Sequence, residues 1–167
     1  MILSLVAALD QRGAIGKSGK LPWYLSDDLK HFRRLTDGHH VLMGRKTFSS
    51  IGGGLPGRTM IVLSRNADFA SDVAFVARSL EEAIEYAQFR REEELFVIGG
   101  REIYALALPL AQRFYLTRVQ ATVEADTYFP DWDEGEWRRV EERHFEAGPK
   151  NDHAFSIQSL ERIQELR

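Results

Sequence analysis

Apolar stretches of strand length recur along the whole chain and alternate with segments of helical periodicity. The strand-like stretches cover residues 2–9, 40–43, 59–64, 73–77, 94–99, 113–123, 137–147 and 154–162. Stretches such as LVAAL and LFVIG are apolar on both faces, which is typical of strands covered by helices in a parallel sheet. The last two stretches alternate more strongly between apolar and polar residues. They are predicted to form an antiparallel hairpin near an edge of the sheet.

Helices are predicted between the strands, at residues 26–36, 46–51, 79–91 and 101–111. Ser26 is the predicted N-cap of the first helix. Ser79 and Glu82 have the spacing of a capping box at the start of the third. This alternation predicts an α/β fold with a mostly parallel sheet and an antiparallel C-terminal end. In open sheets of this kind, ligands bind beyond the C-terminal ends of the strands.

Length and composition narrow the possible functions. A chain of 167 residues suits one domain over residues 1–167. A net charge of -3 disfavours binding to nucleic acid or a membrane surface, and the lack of cysteine excludes disulfides, thiolate catalysis and cysteine metal sites. The five histidines lack ligand spacing, so no metal site is expected. With neither a signal peptide nor a membrane span in the pattern, we expect a soluble cytoplasmic protein.

The segment LPWYLSDDLKHF places two acids at the start of the first predicted helix. Helical periodicity puts Asp27 on the polar face and Asp28 on the apolar stripe with Phe32 and Leu35. One interpretation is that Asp28 only complements the helix dipole. The other is that Asp28 is a buried acid that binds a cationic or amidine-like group of a ligand, because a carboxylate on an apolar face needs a partner.

Two strand ends carry glycines or basic residues that suit phosphate groups. In VIGGREIY an apolar strand ends at Gly99 and Gly100, where the backbone can approach a phosphate closely or simply turn into a helix. In VLMGRKTF a strand ends at Gly44 and is followed by Arg45, Lys46 and Thr47, which can contact anions. The strand at residues 59–64 ends in Ser64 and Arg65, so a ligand with several phosphates would fit here.

Two further features indicate ligand contacts near these strand ends. The turn LPGR at residues 55–58 presents Arg58, which is either a solvated charge or the bidentate partner of a ligand carboxylate. Trp23 lies in a loop that contains Gly13, Gly16 and Gly19. A tryptophan there serves as a hydrophobic anchor, and the glycines permit the movement of a lid.

Taken together, these segments resemble the bacterial dihydrofolate reductases. MILSLVAAL, AIGKSGKLPWYLSDDLKHF, VLMGRKTFSSIG, LPGRTMIVLSR, FVIGGREIY, FYLTRV and EADTYFP occur in the order and at the spacing of that family. The resemblance covers essentially the whole chain. It implies an eight-stranded, mostly parallel mixed sheet with an antiparallel C-terminal hairpin and four flanking helices. It also implies NADPH-dependent reduction of 7,8-dihydrofolate to 5,6,7,8-tetrahydrofolate, and binding of antifolates such as methotrexate and trimethoprim.

The resemblance also implies roles for individual residues around the substrate. Asp28 matches the carboxylate that binds the pterin, and Thr117 matches the threonine that supports this acid. Arg58 matches the arginine that pairs with the α-carboxylate of the glutamate tail. The remaining substrate-binding residues implied by the resemblance are Val6, Ala7, Leu29, Phe32, Ile51, Leu55, Ile98 and Tyr104.

The implied cofactor site draws on several segments. Ser64 and Arg65, joined by Arg45, match the place where the 2′-phosphate of NADPH is read. The other implied cofactor contacts are Ala8, Ile15, Gly16, Gly44, Lys46, Thr47, Leu63, Ile98, Gly99, Gly100, Arg101, Glu102, Ile103 and Tyr104. The resemblance further implies a cis peptide bond between Gly99 and Gly100.

The implied chemistry is hydride transfer to pterin C6 with protonation of N5 by water. Asp28 would stabilise the developing pterin cation, while Trp23 and the loop around it close over the nicotinamide. The chain departs from the family pattern in two places. Glu102 stands where some relatives carry a basic residue near the adenosine phosphate, and Gly52–Gly54 lack a basic or bulky residue. Arg33 is expected to replace part of the missing contact to the glutamate tail.

Two alternatives and the oligomeric state remain open at this point. The pyrimidine reductase of riboflavin synthesis shares the fold and the NADPH glycines, but it should not need LPW, Asp28, Phe32 and LPGR together. A non-catalytic nucleotide-binding module would be indicated by loss of the acid or of a glycine, and both are present. The resemblance favours a monomer.

Overall fold

The strands and helices follow the predicted alternation closely. The computed structural model describes residues 1–52 and 54–164, so the expectation for Gly53 lies outside the described residues. Its strands are β1 (Ile2–Leu9), β2 (Ala14–Gly16), β3 (His40–Gly44), β4 (Thr59–Leu63), β5 (Ala74–Ala77), β6 (Glu94–Gly99), β7 (Arg113–Val119), β8 (Thr127–Tyr128), β9 (Trp137–Phe145) and β10 (Phe155–Arg162). Its helices are α1 (Ser26–Thr36), α2 (Arg45–Ile51), α3 (Leu80–Phe89) and α4 (Arg101–Ala107), with a 3₁₀ turn at Glu134–Glu136.

One eight-stranded sheet organises the fold, in the order β5-β4-β3-β6-β1-β7-β10-β9. The six strands from β5 to β7 are parallel to their neighbours, whereas β10 runs antiparallel to both β7 and β9. The predicted mixed sheet and its closing hairpin at an edge are therefore confirmed. The small sheet of β2 and β8 was not predicted, because strands of two or three residues show no periodicity.

Apolar side chains cover both faces of the sheet, as the continuous apolar strands predict. Successive residues of β1 point to opposite faces, so Leu5 joins the core cluster under α3 and α4 while Val6 packs into the cluster on the other face. That second cluster contains Val41, Met43 and Phe96. The two faces therefore position α4 and α1 on opposite sides of the C-terminal end of β1.

The start of α1 corrects one prediction. Ser26 is the first residue of the helix and not its N-cap; Leu25 takes the cap position and gives no side-chain hydrogen bond. The connection between β9 and β10 supplies the missing partners. The Ser26 N–H donates to the carbonyl of Lys150, and the Asp27 N–H donates to Oδ1 of Asn151 at 3.3 Å. A long-range contact thus replaces the local cap that the sequence suggested.

The ends of several other elements also differ from the prediction. At α3, the N–H of Glu82 donates to Ser79 Oγ at 3.1 Å as a capping box requires, but the Glu82 carboxylate accepts from the N–H of Arg78. The helix α4 ends at Ala107 and not at residue 111, because Pro109 cannot donate to the helical ladder. Strands β7 and β9 are each shorter than predicted at their C-terminal ends.

A buried carboxylate fastens the opposite edge of the sheet, away from these strand ends. Glu92 accepts a short hydrogen bond from the His40 N–H, and its oxygens lie 2.9 and 3.0 Å from Nδ1 of His40 and His39. Burial alone would raise the pKa of Glu92, but the hydrogen bonds from His40 and His39 outweigh it and lower the pKa to about 2. Glu92 therefore stays ionised in the folded protein well below the pH at which it protonates in the unfolded chain.

Replacing Glu92 with Gln is expected to lower the free energy of unfolding by about 1–3 kcal/mol at neutral pH. Because the pKa of Glu92 is lower in the folded protein than in the unfolded chain, ionised Glu92 stabilises the fold at every pH above its unfolded-state pKa of 4.5. This contribution disappears as the pH falls towards the folded-state pKa of about 2. Urea unfolding of both proteins across this range should show their stabilities converging in acid. Glu85→Gln, on the exposed face of α3, is the matched control and should change little. If the free energies of unfolding of the parent and Glu92→Gln differed as much near pH 2 as at neutral pH, the stabilising role of ionised Glu92 would be contradicted.

Candidate active site

The C-terminal ends of the parallel strands bring the predicted ligand contacts to one edge of the sheet. In the register of β1, Leu5 lies opposite Val97 of β6, and Ala8 lies opposite Thr117 of β7. In the same way Gly44 at the end of β3 lies opposite Leu63 of β4. Residues that are far apart in sequence thus line a continuous edge, as the prediction from open sheets requires.

The geometry of Asp28 supports the interpretation of a buried acid. Oγ1 of Thr117 donates to Oδ1 of Asp28 at 2.6 Å, which joins α1 to β7. Burial raises the pKa of Asp28, and the hydrogen bond from Thr117 opposes this rise. Within residues 1–52 and 54–164, no cationic side chain pairs with Asp28. The residue is half-buried and Thr117 holds one carboxylate oxygen, so the other oxygen can accept from a ligand.

The neighbouring acid has a different, structural role. Oδ2 of Asp27 accepts from Nδ2 of Asn151 at 2.9 Å, and Asp27 is half-buried. Its position on the polar face had suggested a solvent-exposed side chain instead. Helical phase separated the two acids correctly. It could not show that the loop before β10 covers the face that carries Asp27.

Tyr104 of α4 fixes the end of β1 beside this acid. Its hydroxyl donates to the carbonyl of Val6 at 2.6 Å, and its ring packs 5.0 Å from that of Phe129. Burial, with a further contribution from the charge of Asp28, raises the pKa of Tyr104 well above its ordinary value. The phenol therefore remains protonated and acts as a donor to the backbone.

Four of the predicted apolar contacts come together in one cluster. Val6, Ile51, Leu55 and Ile98 pack on the same face of the sheet with Phe48. Phe48 was missed at the sequence level, although its spacing of three from Ile51 places both on one face of α2 and could have indicated it. These side chains form an apolar wall that a flat ring system could contact.

Other predicted substrate residues lie outside that cluster. Ala7 points into the core on the face opposite to Val6, because successive residues of a strand point to opposite faces. On α1, Phe32 is half-buried and Leu29 is 36% exposed. Both are near Asp28 in sequence and neither is packed in a core cluster.

Trp23 is buried as a hydrophobic anchor and is only 8% exposed. It packs in a cluster with Leu25, Val119, Phe155 and Ile157, against which Ala8 also lies. The loop around it is tied down at two places: the N–H of Tyr24 donates to Asp152, and the N–H of Ser18 donates to Asp126, each at 2.8 Å.

Two glycines of the predicted phosphate site occupy positions that disfavour a side chain, Gly44 because of close packing and Gly99 because of its backbone conformation. A Cβ on Gly44 would approach Cγ1 of Ile103 to 3.1 Å, and a Cβ on Gly99 would lie 3.4 Å from Oγ1 of Thr47. Gly99 also has a φ of 136°, a conformation that favours glycine. The Gly99–Gly100 peptide bond is cis, which confirms that prediction. Gly44 and Gly100 are the N-caps of α2 and α4 and lie close together, a Cβ on Gly44 being 4.0 Å from the nitrogen of Gly100; we call the backbone of Gly44, Gly99 and Gly100 the glycine cradle.

Basic side chains surround this cradle. Arg45, Lys46 and Arg65 are exposed beside it, whereas Ser64 is buried at the end of β4. Arg101 donates to the carbonyl of Tyr128 at 3.1 Å, which ties the start of α4 to β8. Glu102 is exposed next to it and adds negative charge, so positive charge comes from the other basic residues. A glycine-lined backbone with several exposed cations fits a pyrophosphate with a further phosphate.

The other residues predicted to contact the cofactor lie in the core cluster next to α4 or on the small sheet of β2 and β8. Ile15 of β2 packs against the core cluster that contains Ile103 and Tyr104, and Leu63 is buried in the same cluster. A Cβ on Gly16 would lie 3.6 Å from the side chain of Thr127, so β2 approaches β8 closely. Every residue predicted for the cofactor thus lies on or beside the C-terminal edge of β1, β3, β4 and β6 or on the small sheet.

The guanidinium of Arg58 is held by three groups of the protein. Its Nε donates to Oγ1 of Thr36 at 3.1 Å, and its terminal nitrogens donate to the carbonyls of Arg33 and Pro56. Five N–H groups belong to an arginine. Among residues 1–52 and 54–164 the other two N–H groups, one on each terminal nitrogen, have no recorded acceptor, so they can bond a ligand carboxylate.

Neither a metal site nor a membrane-spanning helix is found in the part of the chain that the structure describes. No group of three or more histidine or acidic side chains is arranged to hold a metal ion in residues 1–52 and 54–164. Over the same ranges, the helices are all too short or too polar to cross a membrane.

Comparisons with known proteins were made on both sequence and structure. The family model described as "Dihydrofolate reductase" matches residues 2–162. A "Dihydrofolate reductase type 3" of Salmonella typhimurium is 43% identical over 162 residues, which cover 97% of this chain and 99% of the relative. The dihydrofolate reductase of Bacillus subtilis is 36% identical over 161 residues, 96% of this chain and 95% of that protein.

The fold is also similar to a solved structure. Dihydrofolate reductase from Enterococcus faecalis, complexed with NADP(H) and RAB-propyl, superimposes with a TM-score of 0.91 at 35% sequence identity. The match covers 98% of this chain and 97% of that protein.

Proposed function

The chain belongs to the dihydrofolate reductase family, and we infer that it reduces 7,8-dihydrofolate to 5,6,7,8-tetrahydrofolate with NADPH as cofactor. The relatives named above and the structural match, which contains NADP(H), support this activity. They do not favour the alternative of a pyrimidine reductase. The family also binds antifolates, so methotrexate and trimethoprim are expected ligands.

The contact between Asp28 and Thr117 is the observation that carries the assignment of the substrate site. A half-buried carboxylate with one free oxygen can accept two hydrogen bonds from the 2-amino and N3 groups of the pterin. Burial raises the pKa of Asp28 because it disfavours the charged carboxylate, and hydrogen bonds from such donors would favour the ionised form. The apolar wall of Val6, Ile51 and Leu55 would then contact the rest of the substrate.

We assign the pyrophosphate of NADPH to the glycine cradle on the basis of the backbone conformation and packing of these glycines. Bound NADPH supplies the hydride for the reaction. Gly44, Gly99 and Gly100 are assigned to the pyrophosphate: a Cβ on Gly44 would press on Ile103 at 3.1 Å, and the φ of 136° at Gly99 disfavours a side chain. Arg45, Ser64 and Arg65 are assigned to the 2′-phosphate, which would give a preference for NADPH over NADH.

Protonation of pterin N5 is assigned to water. Asp28 is the one acidic side chain among the described residues assigned to the substrate, and it would bind the far edge of the pterin. Tyr104 keeps its proton because its pKa is raised, and that proton is already donated to the carbonyl of Val6. Neither side chain is therefore available to N5. Asp28 would instead stabilise the positive charge that develops on the pterin.

Three further properties complete the proposal. The chain is taken to act as a single domain over residues 1–167, with the family match extending over residues 2–162. It is taken to act as a monomer, because the whole candidate site lies within one chain. Its place is taken to be the cytoplasm, where folates and NADPH are used in metabolism.

The direct test is the loss of NADPH absorbance when purified protein is mixed with dihydrofolate and NADPH. We expect turnover that requires both compounds and that methotrexate inhibits tightly. Binding of NADPH without turnover would instead indicate a non-catalytic nucleotide-binding module. Turnover of a pyrimidine precursor of riboflavin without turnover of dihydrofolate would indicate the related reductase.

A further inference from the structure

Arg78, directly after β5, is surrounded by the carbonyl groups of a loop that follows β4. One terminal nitrogen donates to the carbonyls of Ser64 and Asn66 at 3.1 and 2.6 Å. The other donates to the carbonyl of Phe69 at 3.2 Å and reaches that of Ala67 at 3.5 Å. Four carbonyls of one short loop thus converge on a single guanidinium.

The loop from Ser64 to Phe69 is folded tightly around this cation. The N–H of Asn66 donates to Ser64 Oγ at 3.2 Å, and Oδ1 of Asn66 accepts from the N–H of Asp68 at 3.0 Å. The N–H of Phe69 donates to the carbonyl of Asn66 at 3.1 Å. Converging carbonyl dipoles repel one another unless a cation lies between them. The planar, permanently charged guanidinium can bond several of them at once.

The same loop carries residues assigned to the 2′-phosphate. Gly44, Leu63 and Ala77 lie in adjacent positions of β3, β4 and β5, so the residues that follow them are neighbours along the sheet edge. The Ser64 N–H donates to the carbonyl of Ala77 at 2.9 Å, which joins the loop directly to the residue before Arg78. Arg65, next in the chain, is exposed at this edge.

We propose that Arg78 is a positioning residue for cofactor selectivity: it fixes the Ser64–Phe69 loop so that Ser64 and Arg65 can read the 2′-phosphate of NADPH. The proposal rests on the cofactor site assigned above. Arg78 acts through backbone carbonyls and not by contact with the phosphate. Its effect should therefore depend on the shape of the guanidinium and not only on its charge.

The test compares Arg78→Lys and Arg78→Met with the parent enzyme, using NADPH and NADH as paired cofactors. NADH lacks the 2′-phosphate, so a loss confined to NADPH reports on this subsite and not on the overall fold. Both variants should raise KM for NADPH about tenfold, with much smaller changes in kcat, in KM for dihydrofolate and in KM for NADH. Lysine keeps the charge but cannot bond four converging carbonyls, so it should not rescue the preference.

A double-mutant cycle with Arg65→Met separates positioning from direct contact. If Arg78 acts through the loop that bears Arg65, the double variant should lose little more NADPH preference than Arg65→Met alone. Additive losses, a wild-type preference in Arg78→Lys, or an equal loss with NADH would each overturn the proposal. Arg90→Met is the matched control, because Arg90 bonds His40 at the far edge of the sheet and should leave the cofactor preference unchanged. A parent enzyme without dihydrofolate turnover would contradict the proposed function instead.

Discussion

Replacing Asp28 with Asn is expected to lower kcat for dihydrofolate reduction by about 100- to 1,000-fold, the size of effect seen when one stabilising group is removed from a developing charge. The substitution keeps the shape of the side chain. It removes the negative charge that would oppose the positive charge on the pterin. Steady-state kinetics with saturating NADPH measures this loss directly.

Two controls separate this loss from a general defect. Binding of NADPH, measured by calorimetry, should be nearly unchanged, because the glycine cradle lies between α2 and α4 and does not include Asp28. Stability should not fall either. The pKa of Asp28 is raised by burial, so the ionised form destabilises the folded protein at any pH above that pKa. A neutral side chain removes this penalty, and the variant should unfold at the same temperature as the parent or a higher one.

The outcome that contradicts the assignment is easily recognised. An Asp28→Asn protein that reduces dihydrofolate at the parent rate would show that this carboxylate does not serve the reaction. A variant that loses NADPH binding together with turnover would show that Asp28 acts on the fold or on the cofactor site.

Most of the fold could be predicted because its signals are local. Apolar runs covered on both faces identified the strands of the parallel sheet, and the alternation in β9 and β10 identified the closing hairpin. Helical phase distinguished Asp28 from Asp27 for the same reason. Helical phase left two interpretations of Asp28, a partner of the helix dipole or a ligand-binding acid. Only the resemblance across the whole chain favoured the second and assigned Asp28 to the pterin.

The features that sequence reasoning missed depend on contacts between distant segments. Asn151 caps α1 from the loop before β10, which no pattern near Ser26 could reveal. Arg78 looks like an ordinary surface charge until the loop from Ser64 to Phe69 is seen around it. Small strands such as β2 and β8 gain their stability from each other, so neither has a signal of its own.

Replacing Arg58 with Leu is expected to weaken dihydrofolate and methotrexate binding by about 10- to 100-fold, while trimethoprim binding changes little. In the part of the chain that the structure describes, two N–H groups of Arg58 have no acceptor after its bonds to Thr36, Arg33 and Pro56, and they suit the α-carboxylate of the glutamate tail. Trimethoprim lacks the glutamate, so it is an internal control for the rest of the site. Inhibition constants for the two antifolates measure the difference.

The bonds that hold Arg58 allow a sharper version of this test. Thr36→Val removes the partner of Nε but leaves the guanidinium in place. If Arg58 binds the carboxylate and Thr36 only orients it, this variant should show a smaller loss in the same direction, again confined to ligands with a glutamate. Equal losses for methotrexate and trimethoprim in Arg58→Leu would show that the arginine supports the turn at Leu55–Arg58 and does not bind the tail.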